Sequence, residues 1–166
     1  MKRKVFLKRA WSTLAGGMLF SPALVAANRA NEIFEAAEIK EFVRTAHVDF
    51  NACKKIIEAK PLLLNCTNQN KKGDFETPLG GAAHMGRKDI ADLLLSKGAR
   101  MDLFIHAFLG HADLVRKMIG EYPHLLRAPG PHGFTLLHHA QAGEHQELAD
   151  WITEAGLTET FFKGAF

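Results

Sequence analysis

Nine histidines in a chain of 166 residues are the first place to look for chemistry. Four of them, His132, His138, His139 and His145, fall within 14 positions, a density that would suit a metal site built from imidazole nitrogens. No two of these four stand at i, i+4, the spacing that sets both ligands of a helical zinc motif on one face. Cys53 and Cys66 could pair in an oxidising compartment, but Cys53 falls on an apolar helical stripe and reads more simply as a core residue. Nucleophilic catalysis finds no G-x-S-x-G, no cysteine with a catalytic flank, and no paired carboxylates beside a glycine-rich loop. Gly80-Gly81 lacks the Lys and Ser/Thr of a phosphate-binding loop and fits close helix packing better. Trp151 stands beside an apolar stripe, as a packing residue does. On this reading there is no catalytic residue, no metal ligand and no cofactor.

The elements that would position such residues are helices. Residues 77–100 read as a short helix, a turn at Gly86, a longer helix and a stop at Gly98. Pro78 suits a first helical turn, where its missing N–H costs nothing. Ala82 and Ala83 keep the short helix thin, so a neighbour can approach its backbone. In the longer one Ile90, Ala91, Leu94 and Leu95 form an apolar stripe, with Lys88, Asp92 and Ser96 off it. A helical pair this short cannot bury its own apolar face, so it needs copies of itself alongside.

The chain contains them. A constant offset of 58 sets Thr135 on Thr77, Leu137 on Leu79, Ala140 on Ala82, Leu148 on Ile90, Ile152 on Leu94 and Gly156 on Gly98. An offset of 24 sets Ala107 on Ala83, Gly110 on Gly86, Leu114 on Ile90 and Met118 on Leu94. A weaker upstream copy sets Cys53, Ile56, Ile57 and Pro61 on Val115, Met118, Ile119 and Pro123, at an offset of 62. The pattern is a two-repeat module present twice. TPLGGAAHMGRKDIADLLLSKGA, LGHADLVRKMI and GFTLLHHAQAG resemble the ankyrin repeat family over about residues 42 to 157. Two features depart from it: Gly80 stands where the family usually has His, and the second step is 24 residues instead of about 33. The resemblance implies an all-α, ankyrin-like helical repeat solenoid of about four helix pairs with a concave face. It also implies that His138 and His111 tie turns together by hydrogen bonds.

Charge and order along the chain complete the reading. Lys2, Arg3, Lys4, Lys8 and Arg9 account for five of the 21 basic residues, so residues 28–166 carry 16 basic and 18 acidic side chains, a net of −2. The formal +3 of the whole chain therefore gives no support to nucleic-acid binding. Residues 1–27 have the basic start, apolar middle and small-residue end of a signal peptide, with Val25-Ala26-Ala27 before a cleavage point at Asn28. Arg3-Lys4-Val5-Phe6-Leu7-Lys8 resembles a twin-arginine export motif with Lys4 in place of the second arginine; the general secretory route is the alternative. Residues 28–37 read as a linker, 38–160 as the repeat array, and 161–166 as a capping tail, with Phe161, Phe162 and Phe166 covering the last core face. Residues 65–76 and 127–134 read as loops on one edge of the array, separated by the loopless 24-residue step.

The expected function is a non-catalytic exported module, periplasmic or extracellular, that binds a protein partner. It has no nucleic-acid partner and no stable membrane span once the signal is removed. The side chains expected to meet the partner are Lys71, Lys72 and Phe75 on the first loop and His132 and Phe134 on the second, which pair charge with aromatic surface. The alternative is an exported metal-binding protein, or a metal-dependent enzyme, using the C-terminal histidines.

Overall fold

The computed structural model describes residues 33–166; the expected signal peptide and the first part of the expected linker lie outside the described residues. The chain is mostly helical, with one small hairpin. Helices α1 (Ala36–Val48) and α2 (Phe50–Ala59) meet at Asp49, whose carboxylate accepts from Ala52 N–H at 2.9 Å and starts α2. A 3₁₀ turn (Pro61–Asn65) leads to strands β1 (Asn68–Lys71) and β2 (Asp74–Glu76). Then come α3 (Pro78–His84), α4 (Lys88–Ser96), α5 (Leu103–Phe108), α6 (Ala112–Glu121), two 3₁₀ turns (Pro123–Arg127 and Pro131–Gly133), α7 (Leu136–Ala142) and α8 (Gln146–Glu154). Among the described residues no helix is long and apolar enough to cross a membrane.

The short helices start alike. Thr77, Asp102 and Thr135 each accept a hydrogen bond from the backbone N–H three residues on, at 3.0, 2.9 and 3.3 Å. Each satisfies one of the orphan donors of a first turn. Pro78 occupies the first turn of α3, and Gly98 ends the α4 segment at φ +92°. Helix α1 packs on α3, α3 on α5 and α5 on α7, while each is joined to the helix that follows it. Two apolar clusters result. One runs from Phe42 and Cys53 through Leu79, Ile90 and Leu94 to Ile105 and Phe108; the other gathers Val115, Leu136, Leu137, Leu148, Ile152 and Leu157.

Burial follows two of the three offsets. Leu79 and Leu137, Ile90 and Leu148, Leu94 and Ile152 are buried in pairs, as are Cys53 with Val115 and Ile57 with Ile119. The third offset does not hold on α6, where Leu114 is 40% exposed while Ile90 is fully buried. Val115, bulkier than its counterpart Ala91, takes the inward position there, and Leu114 turns towards solvent.

Two segments differ from the sequence reading. Part of the expected 65–76 loop is a hairpin, its turn made by Gly73 at φ +85° and its ladder bulged between Gln69 and Lys71. The two-residue alternation of β2 turns Asp74 and Glu76 inward, 1% and 2% exposed, and Phe75 outward. In the tail, Leu157 is buried and Phe162 packs against the second cluster, its N–H bonded to Gly133 O at 2.8 Å. Phe161 and Phe166 remain 47% and 41% exposed, so of the three tail phenylalanines it is Phe162 that lies against the core. Cys53 is a core residue, and both cysteines are free thiols that burial pushes up to about 11.

Candidate metal centre

Two buried acids beneath a hairpin need partners, because a carboxylate out of water is costly unless it is paired and hydrogen-bonded. Their partners are three imidazoles. His47 lies in the last turn of α1, His84 ends α3, and His132 sits in the Pro131–Gly133 turn. His84 Nε2 lies 2.8 Å from Glu76 Oε1 and 3.1 Å from His47 Nε2. His47 Nε2 is 3.1 Å from Glu76 Oε1, and His132 Nε2 is 3.2 Å from Glu76 Oε2. One ligand atom from each of the four residues falls within 4.8 Å of all the others.

The backbone is shaped to bring them together. A Cβ on Gly81 would lie 2.7 Å from the His47 ring, so only glycine lets α3 pass beneath that imidazole. This gives Gly81 a more specific reason than helix packing in general. His132 holds a left-handed backbone at φ +59°, uncommon for a residue with a side chain. Asp74 stabilises it by accepting twice, from the His132 backbone N–H and from ring Nδ1, both at 2.9 Å.

Those contacts also select tautomers. Nδ1 of His132 donates to the Asp74 carboxylate, and Nδ1 of His47 donates to Val43 O at 2.7 Å. Each bond fixes a proton on Nδ1 and turns Nε2 towards Glu76, the outer-shell arrangement that orients metal-ligating histidines. The third ring is held by packing: His84 Nδ1 is buried without a hydrogen-bond partner, and the ring stacks on Phe134 at 4.9 Å. Asn70 donates to Glu76 Oε2 at 3.3 Å and accepts from Asn68 at 2.6 Å, so the oxygen that meets His132 is also steadied from the hairpin side.

Electrostatics divide the labour. Burial would raise the pKa of Glu76, but hydrogen bonds from His47 and His84 and the charges of His47 and His132 hold it well below the ordinary carboxylate range. For His47 burial works against protonation, and the Glu76 bond and charge outweigh it, leaving the pKa raised. For His84 burial dominates, and repulsion from His47 and His132 adds to it, leaving the pKa lowered despite Glu76. The centre is an ionised carboxylate among imidazoles, with His84 favoured neutral and His47 favoured charged, so an ion entering it would displace a proton.

The geometry fits a small divalent ion. Bonds of 2.0–2.2 Å in a tetrahedron set ligand atoms about 3.3 Å apart. Glu76 Oε1 and the Nε2 atoms of His47 and His84 lie 2.8–3.1 Å apart, His132 Nε2 approaches the other oxygen at 3.2 Å, and the whole set falls within 4.8 Å, so an ion would require modest rearrangement. Three imidazoles and one carboxylate in a tetrahedral arrangement suit zinc, and by ligand type also copper, nickel and iron.

Of the side chains expected to meet a partner, Lys71, Lys72 and Phe75 are exposed on the hairpin, Phe75 at 56%. His132 points into the cluster instead, and Phe134 is half-buried, stacked between His138 at 4.2 Å and His84 at 4.9 Å. The two loops are not separate projections with a gap between them. Asp74 and His132 bond across 58 positions and close the edge, since the short α5 brings the second loop onto the hairpin. The other histidines do different work. His138 Nε2 donates to His84 O at 2.8 Å, His106 and His111 share a bond at 2.8 Å, and His139 is fully buried with Nε2 unpartnered. Sequence reasoning looked for ligands among His132, His138, His139 and His145, and only His132 belongs to the cluster; His47, Glu76 and His84 were not singled out. No protein-family model matches the chain, and no curated protein matches it significantly.

Proposed function

We propose that this protein is a metal-binding module: an ankyrin-like stack of four helix pairs that holds one divalent transition-metal ion, zinc by ligand preference, through His47, Glu76, His84 and His132. The observation that carries this reading is the convergence of four ligand atoms within 4.8 Å, with two of the three imidazoles anchored through Nδ1 so that Nε2 faces the centre. A hydrogen-bonded core of three imidazoles and a carboxylate is a costly way to hold helices together, since apolar residues of similar volume do this as well or better. The test is the metal content of full-length protein made without a His tag, dialysed against a weak chelator. One equivalent of metal per chain is expected, lost in His84→Ala and in Glu76→Gln. Zinc at 100 times its dissociation constant should add about 2.7 kcal/mol of stability. Protein that holds no metal and gains no stability from added zinc refutes the reading.

A second reading rests on a separate observation. Lys71, Lys72 and Phe75 stand exposed on the hairpin, and the partly exposed Phe166 ring of the tail would meet a Cβ placed on Gly73 at 3.5 Å. That rim suits a protein partner of an exported, non-catalytic module. Lys71→Glu with Lys72→Glu should abolish partner capture without changing metal content; unchanged capture removes the rim from consideration.

A further inference from the structure

The cluster is not closed on all sides. His47, Glu76 and His132 border one cleft of about 380 Å³, while His84 lies buried behind them. Four protein donors complete a tetrahedron, but zinc can expand to five-coordinate, and the cleft gives a small molecule access to such a fifth position. The volume lies at the small end of ligand-binding clefts, enough for a metabolite-sized molecule.

The walls say what kind of molecule. On one side α1 presents Lys40 and Arg44, which share a face with His47 at i, i+4 and i+7. Lys40 makes no ion pair among the described residues, and Arg44 is balanced by Glu41 at 2.7 Å. On the other side β1 presents Asn68 and Asn70, whose amide nitrogens each spend one hydrogen within the hairpin and keep a second. The mouth is therefore rich in donors, and its acid, Glu76, is committed to the imidazoles.

From this, resting on the metal reading above, we infer that the bound metal takes a fifth ligand from the cleft side, and that this ligand is a small molecule bearing an oxyanion. One oxygen of the anion coordinates the metal, and its charge is met by Lys40 and Arg44. Phosphate and carboxylate share this chemistry, and the cleft accepts either by the same contacts.

The test uses full-length protein loaded with cobalt(II), whose visible absorption reports its coordination number. Inorganic phosphate and malonate are titrated separately, with neutral malonamide as control. A saturable spectral change with phosphate, malonate or both is expected, and none with malonamide; the stronger of the two identifies the source of the oxyanion. Lys40→Ala with Arg44→Ala, both solvent-exposed substitutions, should leave the anion-free cobalt spectrum unchanged and weaken anion binding about fivefold. A cobalt spectrum indifferent to both anions overturns this inference and leaves the metal reading intact, as does anion affinity unaffected by the double substitution. Absence of any cobalt binding overturns both.

Discussion

Asp74→Asn separates a metal centre from a merely structural cluster. Asp74 is 1% exposed and touches no expected metal position itself; it accepts from His132 N–H and from His132 Nδ1. Asparagine matches it in shape and can still accept the backbone bond through its carbonyl. Its other arm becomes an NH₂, which donates to Nδ1 instead of accepting from it. The imidazole proton then moves to Nε2, the atom that faces Glu76. A ring in that tautomer must give up its proton before it can ligate. Outer-shell changes of this kind cost 10- to 100-fold in metal affinity, or about 1.4–2.7 kcal/mol. Loss of the charge-assisted bond should lower the stability of the metal-free protein by about 1–2 kcal/mol. Zinc affinity is measured by competition with a fluorescent chelator, and the tautomer by ¹⁵N chemical shifts of the His132 ring. Affinity unchanged while the tautomer flips would show that His132 is no ligand. An unflipped tautomer would show that Asp74 does not set it.

Three further outcomes test the fold. Burial pulls the pKa of His139 down to about 4, so the unfolded chain takes up its proton first; this stability is complete above pH 6.5 and is lost as the pH falls towards 4. The loss amounts to about 3 kcal/mol, and urea denaturation of His139→Gln between pH 7 and 4 should show a dependence weaker by that amount. Leu94→Ala should cost about 2–5 kcal/mol, whereas Leu114→Ala, at a position 40% exposed, should cost less than half of that in the same thermal melts. Gly143→Ala should destabilise by more than about 2 kcal/mol, because its Cβ would lie 1.9 Å from Phe108 O; a variant that melts with the parent would refute that close approach.

Helical features that depend on local chemistry could be read from the residues alone. Pro78 in a first turn and Gly98 at positive φ each follow from two or three neighbouring residues. What spans elements could not. The NQNK strand has no β-branched or aromatic residue to mark it, and its pairing comes from the Gly73 turn and the buried acids of β2. The α6 stripe was misread because Leu114 and Val115 are both apolar, and only packing decides which faces in. The candidate site was invisible for a plainer reason: its ligands come from α1, β2, α3 and a 3₁₀ turn, so no spacing rule links them. The one local hint was Gly81, a glycine inside a short helix whose missing side chain makes room for His47.

The scattering of those four side chains has a consequence for how the molecule assembles. Neighbouring helices find each other across short stretches of chain, and such contacts form early and cheaply. His47 meets His84 across 37 positions, and Asp74 meets His132 across 58. No nascent fragment ending before His132 can complete the set, and no misregistered stack can align it. An ion captured there would act as a late checkpoint, fastening only molecules in which the first helix, the hairpin and the turn before the last helix pair have already come together.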